Sequence, residues 1–272
     1  MLFDTHAHLD FPDFADSLPS VLERARAAGV NQIVNIATSV ESSLRSVALA
    51  EAHPEIVAAV GVHPCYVDSE RDDFIPLLSR LLEHPKVVAI GETGLDYHRA
   101  PEPPAESPER AAWEANRERQ AAFFRAQLVL AETHGLNVVV HQRDSWKDTL
   151  TLLRPFSGRL KAVFHCFGGT LEEAEEVLAL GFSVSFTGIV TFKNATMVHE
   201  VAARLPAGSF FLETDCPFLA PTPHRGKRCE PAHTRLIAER IAQLRNESLE
   251  SLAEHTTEAA RSFFRRQFNH RG

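Results

Sequence analysis

Short apolar runs alternate with amphipathic stretches along most of the chain. The apolar runs predict strands at residues 2–5, 32–36, 56–60, 87–90, 137–140, 162–164, 182–185 and 210–212. Between them, apolar residues recur at spacings of three and four, which predicts helices including residues 21–28, 44–52, 74–82, 123–131 and 171–180. Gly181 follows the last of these stretches and fits a helix C-terminal cap.

Eight strands, each followed by a helix, predict an α/β fold of the TIM (β/α)8 barrel class, with parallel strands inside a ring of helices. A doubly wound open sheet is the alternative, but no Gly-rich phosphate loop follows any strand. We expect an extra C-terminal helical segment at residues 248–268 to pack on the outside. Residues 99–108 contain four prolines and predict an exposed excursion after the fourth strand. The chain reads as one domain, residues 1–272.

The composition limits the classes of protein to which this chain can belong. The 272 residues are 44% hydrophobic and 24% charged, as in ordinary globular proteins. The N-terminus lacks a signal-peptide pattern, and no apolar run approaches the roughly 20 residues that span a bilayer, so we expect a cytoplasmic protein with no membrane association. Four cysteines without a Cys-x-x-Cys pair argue against disulfides and structural zinc. The net charge of −8 argues against nucleic-acid binding by a broad basic surface.

Potential metal ligands stand where the predicted strands end. In a parallel barrel these ends form the active-site face, and residues two apart on a strand point to the same side. The candidate ligands are His6, His8, Glu92, His141, His165 and Asp215. Four histidines and two carboxylates exceed what one tetrahedral ion takes, which suggests two divalent ions bridged by a carboxylate. Glu92 is the expected bridge because it lies midway round the barrel.

A set of motifs resembles the TatD family of metal-dependent DNases, within the wider amidohydrolase-like group of barrel enzymes. The motifs are Asp4-x-His6-x-His8-Leu9, Gly61-Val62-His63-Pro64, Gly91-Glu92-Thr93-Gly94-Leu95-Asp96-Tyr97, His141-x-Arg143-Asp144, His165-Cys166-Phe167, Glu213-Thr214-Asp215-x-Pro217, Pro223-His224-Arg225-Gly226-Lys227-Arg228 and Thr256-Thr257-Glu258-Ala259-Ala260. The resemblance extends from the first residues nearly to the last. The segment between Tyr97 and Arg119 is longer and richer in proline than the family pattern.

The resemblance implies a barrel, a divalent metal site and hydrolysis of phosphodiester bonds in DNA. One ion would be held by His6, His8, Glu92 and Asp215, and the second by Glu92, His141 and His165. The ions would be Mg²⁺, Mn²⁺ or Zn²⁺. Asp215 and Glu92 are the expected catalytic residues, with Asp215 also accepting a proton from water.

Other residues are candidates for binding substrate. Arg143 follows His141 by two positions and should share its side, where a guanidinium can grip phosphate. Arg225 and Lys227 belong to a compact basic run in an acidic chain, and either phosphate binding or a solvated loop fits them. His63 could orient a phosphate or a ligand carboxylate, or it could pack beside Pro64.

Two other functions compete with a DNase. One is a related barrel hydrolase acting on C–N or ester bonds of a small metabolite; such enzymes commonly use a carbamylated lysine as the bridge, so Glu92 favours the DNase-like branch. The other is a binding protein that keeps the fold without catalysis, which the complete ligand set disfavours. We expect DNA as the substrate and no obligate protein partner.

Overall fold

The computed structural model describes residues 1–99 and 102–264, and their strands form one parallel sheet. The strands are β1 (Leu2–Ala7), β2 (Val30–Ile36), β3 (Ile56–Val60), β4 (Val87–Asp96), β5 (Asn137–Arg143), β6 (Ala162–Phe164), β7 (Ser183–Phe186) and β8 (Phe210–Leu212). Neighbours in sequence are neighbours in the sheet, in the order β1 to β8. The predicted strands are confirmed, and β1, β4 and β5 run further toward the ends that carry the candidate ligands.

The first and last strands meet and nearly close the barrel. The Asp215 N–H donates to the carbonyl of His6 at 2.8 Å, and the His8 N–H donates to the carbonyl of Cys216 at 2.9 Å. These bonds flank a parallel bridge between Ala7 and Cys216. The barrel is therefore the observed fold, and the open sheet is excluded. The same contact brings His6, His8 and Asp215 together although they are about two hundred residues apart in sequence.

Helices surround the sheet. In the described residues they are α1 (Leu18–Ala27), α2 (Val40–Ala52), α3 (Phe74–Leu81), α4 (Arg110–His134), α5 (Trp146–Leu153), α6 (Leu171–Ala179), α7 (Thr196–Arg204), α8 (Thr234–Arg245) and α9 (Leu249–Phe263). The α6 helix begins with a capping box between Thr170 and Glu173. The α4 helix begins well before residue 123, where the predicted helix starts. Its early residues lie mostly at the surface and give no apolar periodicity, so the sequence pattern did not show them. None of the helices in the described part is long and apolar enough to cross a membrane.

The end of α9 lies against the interior of the barrel. Side chains from seven strands form one apolar cluster, which is possible only in the lumen: Phe3, Val34, Ile36, Ala59, Val88, Ala89, Val139, Val163 and Phe211. Phe263 and Phe264 belong to the same cluster, and Phe211 contacts the Phe263 ring at 5.2 Å between centroids. The extra helix is confirmed, but its expected position on the outside is wrong for this end. Burying the two phenyl rings removes the apolar lumen from water. Residues 265–268 of the predicted segment lie outside the described residues.

The Pro-rich excursion precedes α4. Residues 102, 104–106 and 108–109 are exposed, as predicted, while 100 and 101 lie outside the described part. Arg110 anchors the segment through ion pairs of 2.7 Å with both Glu102 and Glu114. Arg99, Pro103, Pro104 and Trp113 line a cavity of about 620 Å³ beside the barrel mouth.

Candidate metal centre

Glu92 lies at the centre of the candidate site and is almost completely buried. The pairing of β4 with β5 shifts register between Ile90 and Thr93, the stretch that contains Glu92. Each of its carboxylate oxygens faces different histidines. Oε2 lies 3.4 Å from Nε2 of His6 and 3.9 Å from Nε2 of His8. Oε1 lies 2.7 Å from both His141 Nδ1 and His165 Nε2. The carboxylate therefore joins two sets of imidazoles.

Gly94 allows β4 to approach β5 at the candidate ligand His141. The two residues are paired in the sheet, and Gly94 has a φ of +145°, where side chains are strained. A Cβ at this position would lie 2.0 Å from the carbonyl oxygen of His141. Only glycine permits this close backbone contact, so Gly94 contributes to the placement of His141.

His6, His8 and Asp215 form the first set. The Nε2 atoms of the two histidines are 3.2 Å apart, and Oδ1 of Asp215 lies 3.6 Å from His6 Nε2 and 3.4 Å from His8 Nε2. His8 Nδ1 lies 2.8 Å from the carbonyl of Ile36. The carbonyl can only accept, so this nitrogen carries the proton and Nε2 turns a lone pair toward the site.

His141 and His165 form the second set with Glu92. Nδ1 of His141 and Nε2 of His165 are 3.3 Å apart. On its other side, His141 places Nε2 3.0 Å from Oδ2 of Asp96. A proton on Nε2 satisfies the Asp96 carboxylate, so Nδ1, on the side of Glu92, is the nitrogen that an ion could take. Such carboxylate–histidine pairs orient metal ligands.

The donor set fits divalent cations. Within each set, imidazole nitrogens and carboxylate oxygens lie within 4.8 Å of one another, close enough to share one ion. Buried groups of this kind are ligands for zinc and harder divalent ions. Burial alone would raise the pKa of Glu92, but the rings of His165, His63 and His6 hold it well below its usual range. Burial would likewise lower the pKa of His165, yet Glu92 raises it well above its usual range. The centre therefore attracts positive charge.

Asp215 is the more accessible of the two candidate catalytic carboxylates. Its side chain is 14% exposed, against 3% for Glu92. Burial would raise the pKa of Asp215, but the hydrogen bond with His8 and the nearby rings of His6 and His165 lower it below the usual value. Asp215 has a φ of +57°, an uncommon conformation for a residue with a side chain, and one that clusters at functional sites.

His63 faces Glu92 in a different way from the other histidines. Its Nδ1 accepts a hydrogen bond from the Cys65 N–H at 3.0 Å, and its Nε2 lies 3.5 Å from Oε1 of Glu92. Burial lowers the pKa of His63 to about 3, so the ring is neutral. A neutral ring that accepts at Nδ1 carries its proton on Nε2. His63 thus presents a donor to the site, although its nitrogen lies close enough to Glu92 and His141 for a shared ion.

The proposed substrate-binding residues occupy different positions. Arg143 is exposed and lines the pocket of about 830 Å³ above the centre, as His63 does. Arg225 and Lys227 are exposed on a loop outside the residues that line this pocket. The guanidinium of Arg225 lies over the ring of Phe192 at 4.1 Å. The structure brings the six candidate ligands, His63 and Arg143 together, but not these two cations.

Some supporting residues were missed by the sequence reasoning. Asp96 orients His141, as described above. Glu213 is buried, accepts from the Cys166 N–H at 2.7 Å and the Ser185 hydroxyl at 2.6 Å, and lies 3.5 Å from Nδ1 of His165. Asp4 accepts from both the N–H and the hydroxyl of Thr214. All three acids stand inside the motifs quoted above, which was the available signal, but strand alternation does not show which acid faces which ligand.

Comparison with known proteins decides the family. A protein-family model described as "TatD related DNase" matches residues 3–265. The chain belongs to the TatD family. This TatD protein is 38% identical over 267 residues to the "uncharacterized metal-dependent hydrolase YabD" of Bacillus subtilis, with 97% of this chain and 99% of the relative covered. It is 34% identical over 270 residues to the "3'-5' ssDNA/RNA exonuclease TatD" of Erwinia tasmaniensis, with 97% and 99% covered.

A solved structure agrees with this placement. The crystal structure of the TatD homologue YJJV from Escherichia coli has a TM-score of 0.86 and 31% identity to this TatD protein, and the match covers 97% of each chain. The predicted family and the barrel are therefore confirmed. The protein is a metal-dependent hydrolase of the TatD family.

Proposed function

We propose that this protein is a deoxyribonuclease that cleaves phosphodiester bonds at a two-metal centre. The observation that supports it best is that the two Glu92 oxygens face different histidines: His6 and His8 lie near one oxygen, and His141 and His165 lie near the other. A carboxylate shared between two ligand sets is the arrangement that bridges paired divalent ions. The relative named as an exonuclease for single-stranded DNA and RNA supports a nucleic-acid substrate.

In this proposal, His6, His8, Glu92 and Asp215 hold one ion, and Glu92, His141 and His165 hold the other. The ions are Mg²⁺, Mn²⁺ or Zn²⁺. When bound, they supply a water of lowered pKa and positive charge against the phosphate. The protein contributes four imidazoles, and the far nitrogens of His8 and His141 are tied to Ile36 and Asp96 respectively. These bonds keep the rings in place between turnovers.

Asp215 takes the proton-accepting role. Its carboxylate is ionised, reaches the pocket and is held by a backbone that is bonded to β1. A carboxylate at the open side of the centre can receive the proton of an attacking water and return it to solvent. Glu92 is too deeply buried for such exchange, so we assign it to ligand binding and to charge compensation.

Arg143 and His63 position the phosphate. Both line the pocket, and each presents N–H donors: the guanidinium from β5, and Nε2 of the neutral His63 ring. Charged and neutral donors on different walls can hold two oxygens of one phosphate. We assign Arg225 and Lys227 a weaker role, with neighbouring phosphates that lie beyond the pocket.

A hydrolysis assay tests the proposal. The purified protein is stripped with chelator and then supplied with Mg²⁺, Mn²⁺ or Zn²⁺, one at a time. It is given labelled single-stranded and double-stranded DNA, a simple phosphodiester, and amide and ester metabolite analogues. We expect cleavage of DNA that requires an added ion and disappears with chelator. Cleavage confined to the amide or ester compounds would instead establish the small-metabolite hydrolase.

A further inference from the structure

Three aromatic residues share one relationship to the candidate site. Each lies three positions after a site residue, and its backbone N–H donates to the carbonyl of that residue, at 3.3, 2.9 and 2.9 Å respectively. They are Phe11 after His8, Tyr66 after His63 and Phe218 after Asp215. All three line the pocket above the centre, and we call them the aromatic rim. These tight turns hold the backbone of each rim residue close to a residue of the site.

Two of the three rim residues are exposed, although large apolar side chains are usually buried. Phe218 is 51% exposed and Tyr66 is 41% exposed. Within residues 1–99 and 102–264, the other exposed large hydrophobic side chains are aliphatic or methionine. Exposed apolar surface that is grouped at one site and rimmed by polar residues marks a binding groove, whereas single scattered apolar residues are normal. Both exposed aromatic rings line one pocket, and this coincidence needs a functional reason.

The rings stand on two walls. Phe11 stacks on the imidazole of His8 with centroids 4.8 Å apart, and Phe218 meets Phe11 edge to face at 6.1 Å. After the end of β3, Tyr66 meets the ring of His63 edge to face at 6.1 Å. A phosphodiester at the centre would therefore have an aromatic wall next to His8 and another next to His63.

We propose that the aromatic rim binds unpaired nucleobases on both sides of the phosphodiester at the centre, and that it makes the site selective for single-stranded nucleic acid. The inference rests on the proposed function. Base faces stack on aromatic rings regardless of sequence. In a duplex, neighbouring pairs cover those faces, so a paired strand cannot use the rim. In a chain of net charge −8, base contacts supply affinity that a broad basic surface would supply elsewhere.

The test measures binding and cleavage of two oligonucleotides with the same backbone. One is fluorescein-labelled oligothymidylate, and the other carries abasic sites throughout. The variants are Phe218→Ala and Tyr66→Ala, with Phe218→Trp as the substitution that keeps a stacking surface. Val129→Ala is the matched control, because Val129 is a 49% exposed apolar residue on α4 that does not line the pocket. Affinity is measured by fluorescence anisotropy with Ca²⁺.

We expect the wild type to bind oligothymidylate more tightly than the abasic backbone. Each alanine variant should weaken oligothymidylate binding by about fivefold or more, the range for loss of one base–aromatic stack, and leave abasic binding within about twofold. Phe218→Trp and Val129→Ala should bind as the wild type does. Unchanged oligothymidylate affinity in both alanine variants, or equal losses for both ligands, would overturn the inference.

Cleavage of the same oligonucleotides separates this inference from the proposed function. If the wild type binds bases through the rim but cleaves neither oligonucleotide with any ion, the nuclease proposal fails and the rim proposal is supported. If it cleaves both oligonucleotides equally well and the alanine variants do the same, the rim proposal fails and the nuclease proposal is supported. Duplex DNA is cleaved in parallel as a further substrate. A preference of the wild type for unpaired over duplex DNA that is lost in Tyr66→Ala and Phe218→Ala supports both the nuclease proposal and the rim proposal.

Discussion

Asp96 Oδ2 lies 3.0 Å from Nε2 of His141, on the opposite side of the ring from the nitrogen that faces Glu92. The two residues come from neighbouring strands, and the pairing of β4 with β5 brings them together. The carboxylate selects the ring tautomer that leaves the Nδ1 lone pair free for an ion.

Asp96→Ala should therefore weaken metal binding without unfolding the protein. Loss of a carboxylate that orients a histidine ligand typically lowers metal affinity about 10- to 100-fold. Titration calorimetry with Mn²⁺ or Zn²⁺ on the chelator-treated protein measures the change. Asp68→Ala is the control, since Asp68 is an acid in the same region that instead bonds Asn116. Wild-type affinity in Asp96→Ala would show that His141 needs no such support.

Asp215→Asn should leave a folded protein with very little hydrolysis. The amide keeps the size of the side chain but cannot accept a proton from water, and it is a weaker ligand. Circular dichroism and the DNA cleavage assay check the two halves of the prediction. Asp144→Asn is the matched control, because Asp144 also lines the pocket but pairs with His98 at 2.8 Å. Near-normal turnover in Asp215→Asn would refute its assignment.

Gly94→Ala should destabilise the fold and displace His141. The new Cβ would lie 2.0 Å from the His141 carbonyl oxygen at a positive φ, so β4 and β5 must separate locally. We expect a loss of about 2 kcal/mol or more in the free energy of unfolding, as for strained and overpacked buried positions. Urea denaturation measures it. Gly168→Ala should change stability little, because no atom lies within 4 Å of its added Cβ; equal losses in both would contradict the close-contact argument.

Arg143→Ala should raise KM for DNA more than Arg225→Ala does. Arg143 lines the pocket, whereas Arg225 lies over Phe192 on a loop outside the pocket lining. Charge reversal at Arg225 should still change the salt dependence of KM if the loop meets outlying phosphates. Steady-state kinetics at several salt concentrations measure both effects. Arg204→Ala provides the baseline, as Arg204 is exposed and paired with Glu200. The assignment of Arg143 fails if its variant matches that baseline.

Removal of bound metal should lower the melting temperature. An ion that binds only the folded state adds about 2.7 kcal/mol at a free concentration 100 times its dissociation constant. Thermal unfolding with chelator, and again after addition of Mn²⁺ or Zn²⁺, measures the shift. His6→Ala should show a smaller shift, since it removes a ligand next to both Glu92 and Asp215. Identical shifts in the wild type and this variant would place the stabilising ion elsewhere.

The barrel and the set of candidate ligands could be predicted because they depend on local patterns. Apolar runs of strand length and amphipathic stretches identify the β/α units, and the residues that follow each strand must lie at one end of a parallel barrel. His6, His8, Glu92, His141, His165 and Asp215 were found in this way. The start of α4 was not, because inward-facing residues of its early turns, such as Asn116 and Gln120, are polar and give no apolar periodic signal.

The sequence by itself determined which residues could meet at the mouth of the barrel. Periods of two and 3.6 residues identify the strands and helices, and in a parallel barrel the residues after each strand lie at one face. Only the tertiary structure decided how they meet. The division of histidines between the Glu92 oxygens, the support of His141 by Asp96 and the entry of Phe263 into the lumen all join residues distant in sequence. Their distances depend on barrel closure, strand register and side-chain rotation, and no local pattern encodes these.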